Sequence, residues 1–224
     1  MSYYIDLSKI DLISYKEKLK NADLLPSRML LKEKIDEIFS EFLKLKINNI
    51  AELKSILSNK KNFNDLLKNH VFEETYLKIL LREINSVHPT PNKLSDIPGL
   101  KPETVNALVK IGLKDTFKLF DHISTKDKRL KLQMETGLKN EEIIELTHLT
   151  DLSRIKWGSS IFVRMLYELG YDTAQKITVA DYILLYEQIK SLNIQKNYFK
   201  GNIGIHDIKL FIDSANDVTD DIEW

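Results

Sequence analysis

Apolar residues along this chain recur at spacings of three and four, and no stretch sustains a period of two, so the hydrophobic pattern predicts helices throughout. Over residues 27–46 there is neither glycine nor proline. There Leu30, Leu31, Ile35, Ile38, Phe39, Phe42, Leu43 and Leu45 form a wide apolar stripe opposite lysines and glutamates, which predicts one long helix opened by Pro26. Residues 3–7 read as a short strand or arm and 13–20 as a short helix. Further helical patterns cover 50–57, 62–68 and 73–84. The segment HPTPNK, with Pro89 and Pro91, interrupts the periodicity and reads as a linker.

Beyond the linker, residues 97–113 (IPGLKPETVNALVKIGL) predict a tight turn at Gly99, a helix beginning at Pro102 and a left-handed stop at Gly112. This is the second half of a helix-hairpin-helix pattern. A shift of 66 residues lays 42–57 on 108–123 without gaps, apolar on apolar, and a shift of 58 lays 154–170 on the stretch ending at Gly112. The expected fold is therefore all-α, with three degenerate helix-hairpin-helix-like units packed in tandem. Residues 1–91 hold an arm and a first unit without a hairpin, since Glu33 stands where Gly99 is expected. Residues 92–153 hold the second unit, with its hairpin at 97–102, and 154–224 the third, with Trp157 at the aligned place and an acidic tail. Ser124 and Thr178 are expected to cap helices, with Asp127 and Asp181 three residues on; Asn140 is expected to open one and Gly137 to close one.

Composition narrows the function classes. Zero cysteines exclude disulfides, thiolate metal sites and cysteine nucleophiles. No apolar run reaches the roughly 18 residues of a membrane span, and the N-terminal residues lack the basic start and apolar core of a signal peptide, so a cytoplasmic protein without a membrane partner is expected. Lys and Arg together number 33, and so do Asp and Glu, which is little positive charge for a dedicated phosphate binder. From Trp157 onward the balance turns acidic.

The hairpin stretches, together with RIKWGSSIFVRMLYELGYDT at 154–173, resemble the family called domain of unknown function 4332, from about Lys93 to Val218. The segments YYIDLSKIDL and LLPSRMLLKEKIDEIF resemble its longer stand-alone members. The resemblance implies a helix-hairpin-helix fold. The wider helix-hairpin-helix group implies sequence-independent contacts to a nucleic-acid backbone, made by hairpin amides at a helix N-terminus. The group's usual pair of glycines is reduced here to Gly99, Leu100, Lys101, and to Trp157, Gly158, Ser159.

Candidate binding residues follow from these places. Arg154, Lys156, Ser159, Ser160 and Arg164 gather near one helix start and make the better anion site, while Lys101 marks the second hairpin. QKNYFK at 195–200 interleaves Lys196 and Lys200 with Tyr198 and Phe199, a pattern that can stack bases and meet phosphates. Lys126, Lys128, Arg129 and Lys131 form the densest basic cluster. For each of these the competing reading is structural: a turn between packed helices, a core tryptophan, a solvated helix face. Glu145 and His148 have the spacing of a carboxylate–histidine metal pair, but His70, His88, His122 and His206 supply no second copy, so neither metal nor cofactor is expected. Phosphate loops and serine elbows are lacking too, and the chain reads as no enzyme. The tail, DSANDVTDDIEW, is either a linear motif ending in Trp224 or a segment folded back on the bundle. The leading expectation is a non-enzymatic module contacting a DNA or RNA backbone; the alternative is a protein–protein interaction scaffold whose hairpins are structural.

Overall fold

A computed structural model describes residues 2–69 and 72–224. The described residues are helical, and isolated bridges at Asp11–Asn49 and Lys93–Asp115 are their only β pairings. Contacts divide the chain into two compact units, Asp6–His88 and Pro89–Trp224, the second including the N-terminal residues as far as Ile5.

The first unit contains α1 (Leu12–Asn21), α2 (Ile35–Lys44), α3 (Ile50–Ser58), α4 (Lys60–Asn69) and α5 (Glu74–Ser86). Of the strand or arm expected at 3–7 the strand is not formed, and a 3-10 turn occupies Leu7–Lys9. The single helix expected over 27–46 is divided. A 3-10 segment, Pro26–Lys32, ends at Glu33, and Lys34 adopts a left-handed conformation (φ 49°) before α2 starts. Apolar spacing alone cannot distinguish this from a continuous helix, because the break falls between charged residues and leaves both stripes facing one core of Leu31, Ile35, Phe39, Phe42, Ile50, Leu53, Leu77, Leu80 and Ile84. Inside that core the ion pair between Arg28 and Glu83 is buried, and the Tyr76 hydroxyl donates to the Leu31 carbonyl at 3.0 Å.

The second unit contains α6 (Pro102–Lys110), α7 (Thr116–Ile123), α8 (Lys126–Thr136), α9 (Asn140–Leu152), α10 (Ser160–Glu168), α11 (Ala174–Thr178), α12 (Tyr182–Lys196) and α13 (Ile205–Ala215). They surround a core that runs from Leu94 and Leu108 through Ile143, Leu149 and Leu166 to Ile189 and Phe211. Two caps are displaced from their expected places: Thr125, not Ser124, caps α8, and Asp181, not Thr178, caps α12. Helix α9 starts at Asn140 as expected, held by Glu142 accepting from the Lys139 amide at 3.0 Å, and Gly137 ends α8 at φ 71°.

Three places, 66 and 58 residues apart, share one local geometry. Helices α2, α6 and α10 each end in a left-handed residue at Lys46, Gly112 and Gly170. The amide after it returns to a buried residue five positions back: Ile47 to Phe42 at 3.1 Å, Leu113 to Leu108 at 3.0 Å and Tyr171 to Leu166 at 3.0 Å. The carbonyls at the ends of these helices are thereby satisfied. A side-chain cap then opens α3, α7 and α11, with Asn49, Asp115 and Thr173 accepting from the amides of Glu52, Lys118 and Lys176. The first residue of the new helix is buried in each case, and its amide finds a different acceptor: the carbonyls of Ile10 and Asn92 for Ile50 and Thr116, but the Asp151 carboxylate for Ala174.

Candidate functional site

The turn between α9 and α10 is built from the inside. Trp157 is left-handed (φ 69°), and Gly158 packs so tightly that a Cβ there would lie 2.7 Å from the Leu152 carbonyl oxygen and 3.0 Å from that of Ile155. Asn92 staples the turn, its Nδ2 donating to the Gly158 carbonyl at 2.7 Å and to Ser153 Oγ at 2.9 Å, while Ser160 Oγ donates to Asn92 Oδ1 at 3.2 Å. Three amides of the turn and helix start are already engaged. Gly158 N donates to Ile155 O, Ser159 N to Trp157 O, and the Phe162 amide to the Ser159 hydroxyl. Ser159 is exposed but serves its own helix.

The two arginines of this region lie inside the unit. Arg154 retains 2% side-chain exposure; its Nη1 meets Asp151 Oδ1 at 3.0 Å and its Nη2 meets Asp221 Oδ2 at 3.2 Å. It also donates to the carbonyls of Tyr3 and Thr219, at 3.2 and 2.9 Å, and its guanidinium lies 5.1 Å over the Phe120 ring. Burial pushes the Asp151 carboxyl above its ordinary value, opposed by the Ala174 amide and by Arg154. Arg164 pairs through Nη1 with Glu145 at 2.7 Å and lies over Tyr167 at 5.4 Å. Its guanidinium carbon presses on Gly99, 3.2 Å from where a Cβ would sit. Among the described residues its Nε and Nη2 have no acceptor. Lys156 is half-buried, its ammonium 4.3 Å from the exposed Trp157 ring.

The turn before α6 is the more open one. Gly99 is left-handed (φ 81°), Pro102 occupies the first turn, and no side chain caps the helix start at Lys101. Lys101 is 70% exposed and lies 3.9 Å from Glu142, whose carboxyl is held below its ordinary value chiefly by a hydrogen bond from Thr104 at 2.7 Å. Glu142 and Glu145, one turn apart on α9, thus hold Lys101 and Arg164 on one side of that helix. Tyr198 donates to Glu168 at 2.7 Å and joins this neighbourhood through α10. From the last turn of α12 Asn193 clamps the backbone of Phe199 through two bonds of 2.8 Å, with Asn197 left-handed. Lys196, the last residue of α12, and Lys200, on the loop after it, are exposed. The eight expected binding residues therefore form no single patch: Lys101, Arg164 and Tyr198 are associated, Arg154 is internal, and Lys156, Ser159, Lys196 and Lys200 lie elsewhere at the surface.

A family model described as domain of unknown function (DUF4332) matches residues 98–218, more than half of the chain. The chain belongs to that family. No curated protein and no solved structure matches it. The DUF4332 match starts beside Gly99 and ends after α13, so both turns and both arginines lie within it.

Just outside the DUF4332 match the tail is folded back on the bundle, one of its two expected readings, onto a basic cluster that sequence reasoning did not pair with it. Residues 219–224 fold back on the basic cluster: the Glu223 amide donates to the Ser124 carbonyl at 2.9 Å, Arg129 Nη2 donates to the Glu223 carbonyl at 2.6 Å, and Lys126 lies 3.7 Å from the Glu223 carboxylate. Arg129 is itself buried, donating to Ile123 O at 2.8 Å, and Lys128 reaches Ser124 Oγ at 2.9 Å. Trp224 stacks on His148 at 4.6 Å, with planes 16° apart. From the other terminus Tyr3 brings its hydroxyl to Thr116 (2.8 Å) and to the Ser153 carbonyl (3.2 Å). Opposite charge on the tail and on the 126–131 cluster was the available signal.

The carboxylate–histidine pair on α9 is likewise engaged, Glu145 with Arg164 and His148 with the Asp172 carbonyl at 2.8 Å. His70 lies outside the described residues. Among the described residues no group of three or more histidines and carboxylates is arranged to hold a metal ion, and no helix is long and apolar enough to cross a membrane.

Proposed function

We propose that this DUF4332 protein is a non-enzymatic protein-interaction scaffold, built of three tandem helix-hairpin-helix-like units whose hairpins now serve the fold. The tandem reading is supported by the geometry shared at Phe42–Ile47, Leu108–Leu113 and Leu166–Tyr171. The scaffold reading is carried by one observation: Arg154 and Arg164, the two arginines flanking the third hairpin, are both buried and pair with Asp151, Asp221 and Glu145. The Arg154 guanidinium has no free donor to offer a phosphate without first breaking its pairs, and the two unbonded nitrogens of Arg164 are buried away from solvent. The acidic tail laid on Lys126 and Arg129 offsets part of a second basic surface.

A second reading, contact with a DNA or RNA backbone, is favoured by the uncapped start of α6 beside exposed Lys101. Titration of the whole chain against duplex and single-stranded DNA and RNA at two salt concentrations separates the two. The scaffold reading expects no saturable binding even at low salt, where phosphate contacts are strongest. Binding that weakens with salt and is lost in Lys101→Gln would replace it with the second.

A further inference from the structure

Helix α12 is apolar on two opposite sides. One side, Leu185 and Ile189, is buried against the helices it packs on, α13 and α10. On the opposite side Ile183, Glu187, Lys190 and Ile194 succeed one another at intervals of four, three and four, the spacing of a coiled-coil seam. Ile183 is 52% exposed and Ile194 78%. Leu184 flanks the stripe at 54% exposure, and Val179 precedes the helix at 80%. Ile183 and Ile194 thus bracket an acid and a base on one outward stripe, about three turns apart.

The stripe has a property that selects its occupant. Turn a second α12 antiparallel about a two-fold axis passing midway between residues 188 and 189, and Ile183 comes opposite Ile194 while Glu187 comes opposite Lys190. The two-fold repeats both pairings, giving two apolar contacts at the ends and two ion pairs at the centre. Within one chain neither Glu187 nor Lys190 forms an ion pair among the described residues; Lys190 only lies 5.9 Å over the Tyr186 ring. An isologous interface requires a patch that is complementary to itself, and this order of residues supplies one. We propose that this face of α12 is a self-association surface, occupied by α12 of a second copy of the chain in antiparallel orientation. The proposal is independent of whether a protein or a nucleic acid is bound elsewhere.

The test uses the whole chain, its mass followed by sedimentation and light scattering over a concentration series. The mass should rise toward twice the 26.1 kDa of one chain. Ile194→Glu should hold it at the single-chain value with an unchanged circular dichroism spectrum. Glu187→Lys faces lysine with lysine twice and should weaken association by about tenfold, while adding Lys190→Glu to it should restore the parent value. Because the chain has no cysteine, Ile183→Cys and Ile194→Cys chains can be mixed and oxidised, and the disulfide-linked product should be the mixed pair. A single-chain mass at every concentration would overturn the proposal. So would association that survives Ile194→Glu, fails to return with the charge exchange, or links like cysteines as readily as unlike ones.

Discussion

The amide of Leu113 donates to the carbonyl of Leu108 at 3.0 Å, closing the end of α6 around left-handed Gly112, and Leu108 itself is fully buried. Phe42 and Leu166 hold the same position in α2 and α10 and are equally buried. Truncating a side chain at such a position removes transfer free energy and leaves a cavity that neighbouring helices only partly fill. Leu108→Ala and Leu166→Ala should each cost about 2–5 kcal/mol and Phe42→Ala about 3–5 kcal/mol. Urea unfolding measures this, and a loss below about 0.5 kcal/mol at any of the three would deny that position its core role.

The left-handed residue after each of these helices differs in identity but not in geometry. Gly112 has open space where a Cβ would go, so Gly112→Ala should cost only the left-handed backbone penalty of about 1–2 kcal/mol. Lys46 bears that penalty already at φ 60°. Lys46→Gly should relieve it, less the roughly 0.5–1 kcal/mol of extra unfolded-chain entropy, giving a neutral to slightly stabilised protein. Gly158→Ala should cost more than Gly112→Ala, because its methyl would meet backbone oxygen. Unfolding midpoints rank the three, and a destabilised Lys46→Gly chain would argue against the common geometry.

Alkaline pH should unfold the protein through buried phenols. Burial raises the Tyr3 and Tyr76 hydroxyls well above their ordinary value of 10.0. The unfolded chain releases these protons near that value while the folded chain retains them, so the stabilisation is complete below it and declines as pH rises beyond it. Each tyrosine should remove about 1.4 kcal/mol per pH unit in that range. Tyr76→Phe should be weaker than the parent at neutral pH, by about 1 kcal/mol for the lost bond to Leu31, yet lose less on going to alkaline pH. Stability of the two chains at both pH values checks the sign.

Glycine made part of this fold legible. Gly99, Gly112, Gly137 and Gly170 all take the left-handed backbone that only glycine adopts without strain, and the turns can be read from them. Lys34, Lys46 and Trp157 take it too, with nothing in their identity to announce it, which is why 27–46 reads as one helix and divides. Arg154 could not be read as internal, because apart from Asp151, three residues before it, the groups it binds are distant in the chain. Asp221 is 67 residues from Arg154, and Tyr3, whose carbonyl accepts from it, is 151 residues away. Lys101, 3.9 Å from Glu142 but 70% exposed, and Lys200 remain at the surface where the basic pattern put them.

The claim that the hairpin cations serve the fold is tested most directly by the stability of Arg154→Gln measured beside Lys101→Gln. Removing Arg154 strands the buried carboxylate of Asp151 and frees residues 219–221, so the loss should be about 3–5 kcal/mol, visible as a large shift of the urea midpoint. Lys101→Gln removes a mostly exposed ammonium and should change stability by less than about 0.5 kcal/mol. An Arg154→Gln chain that unfolds at the same urea concentration as its parent would contradict the account and return the arginine to a ligand.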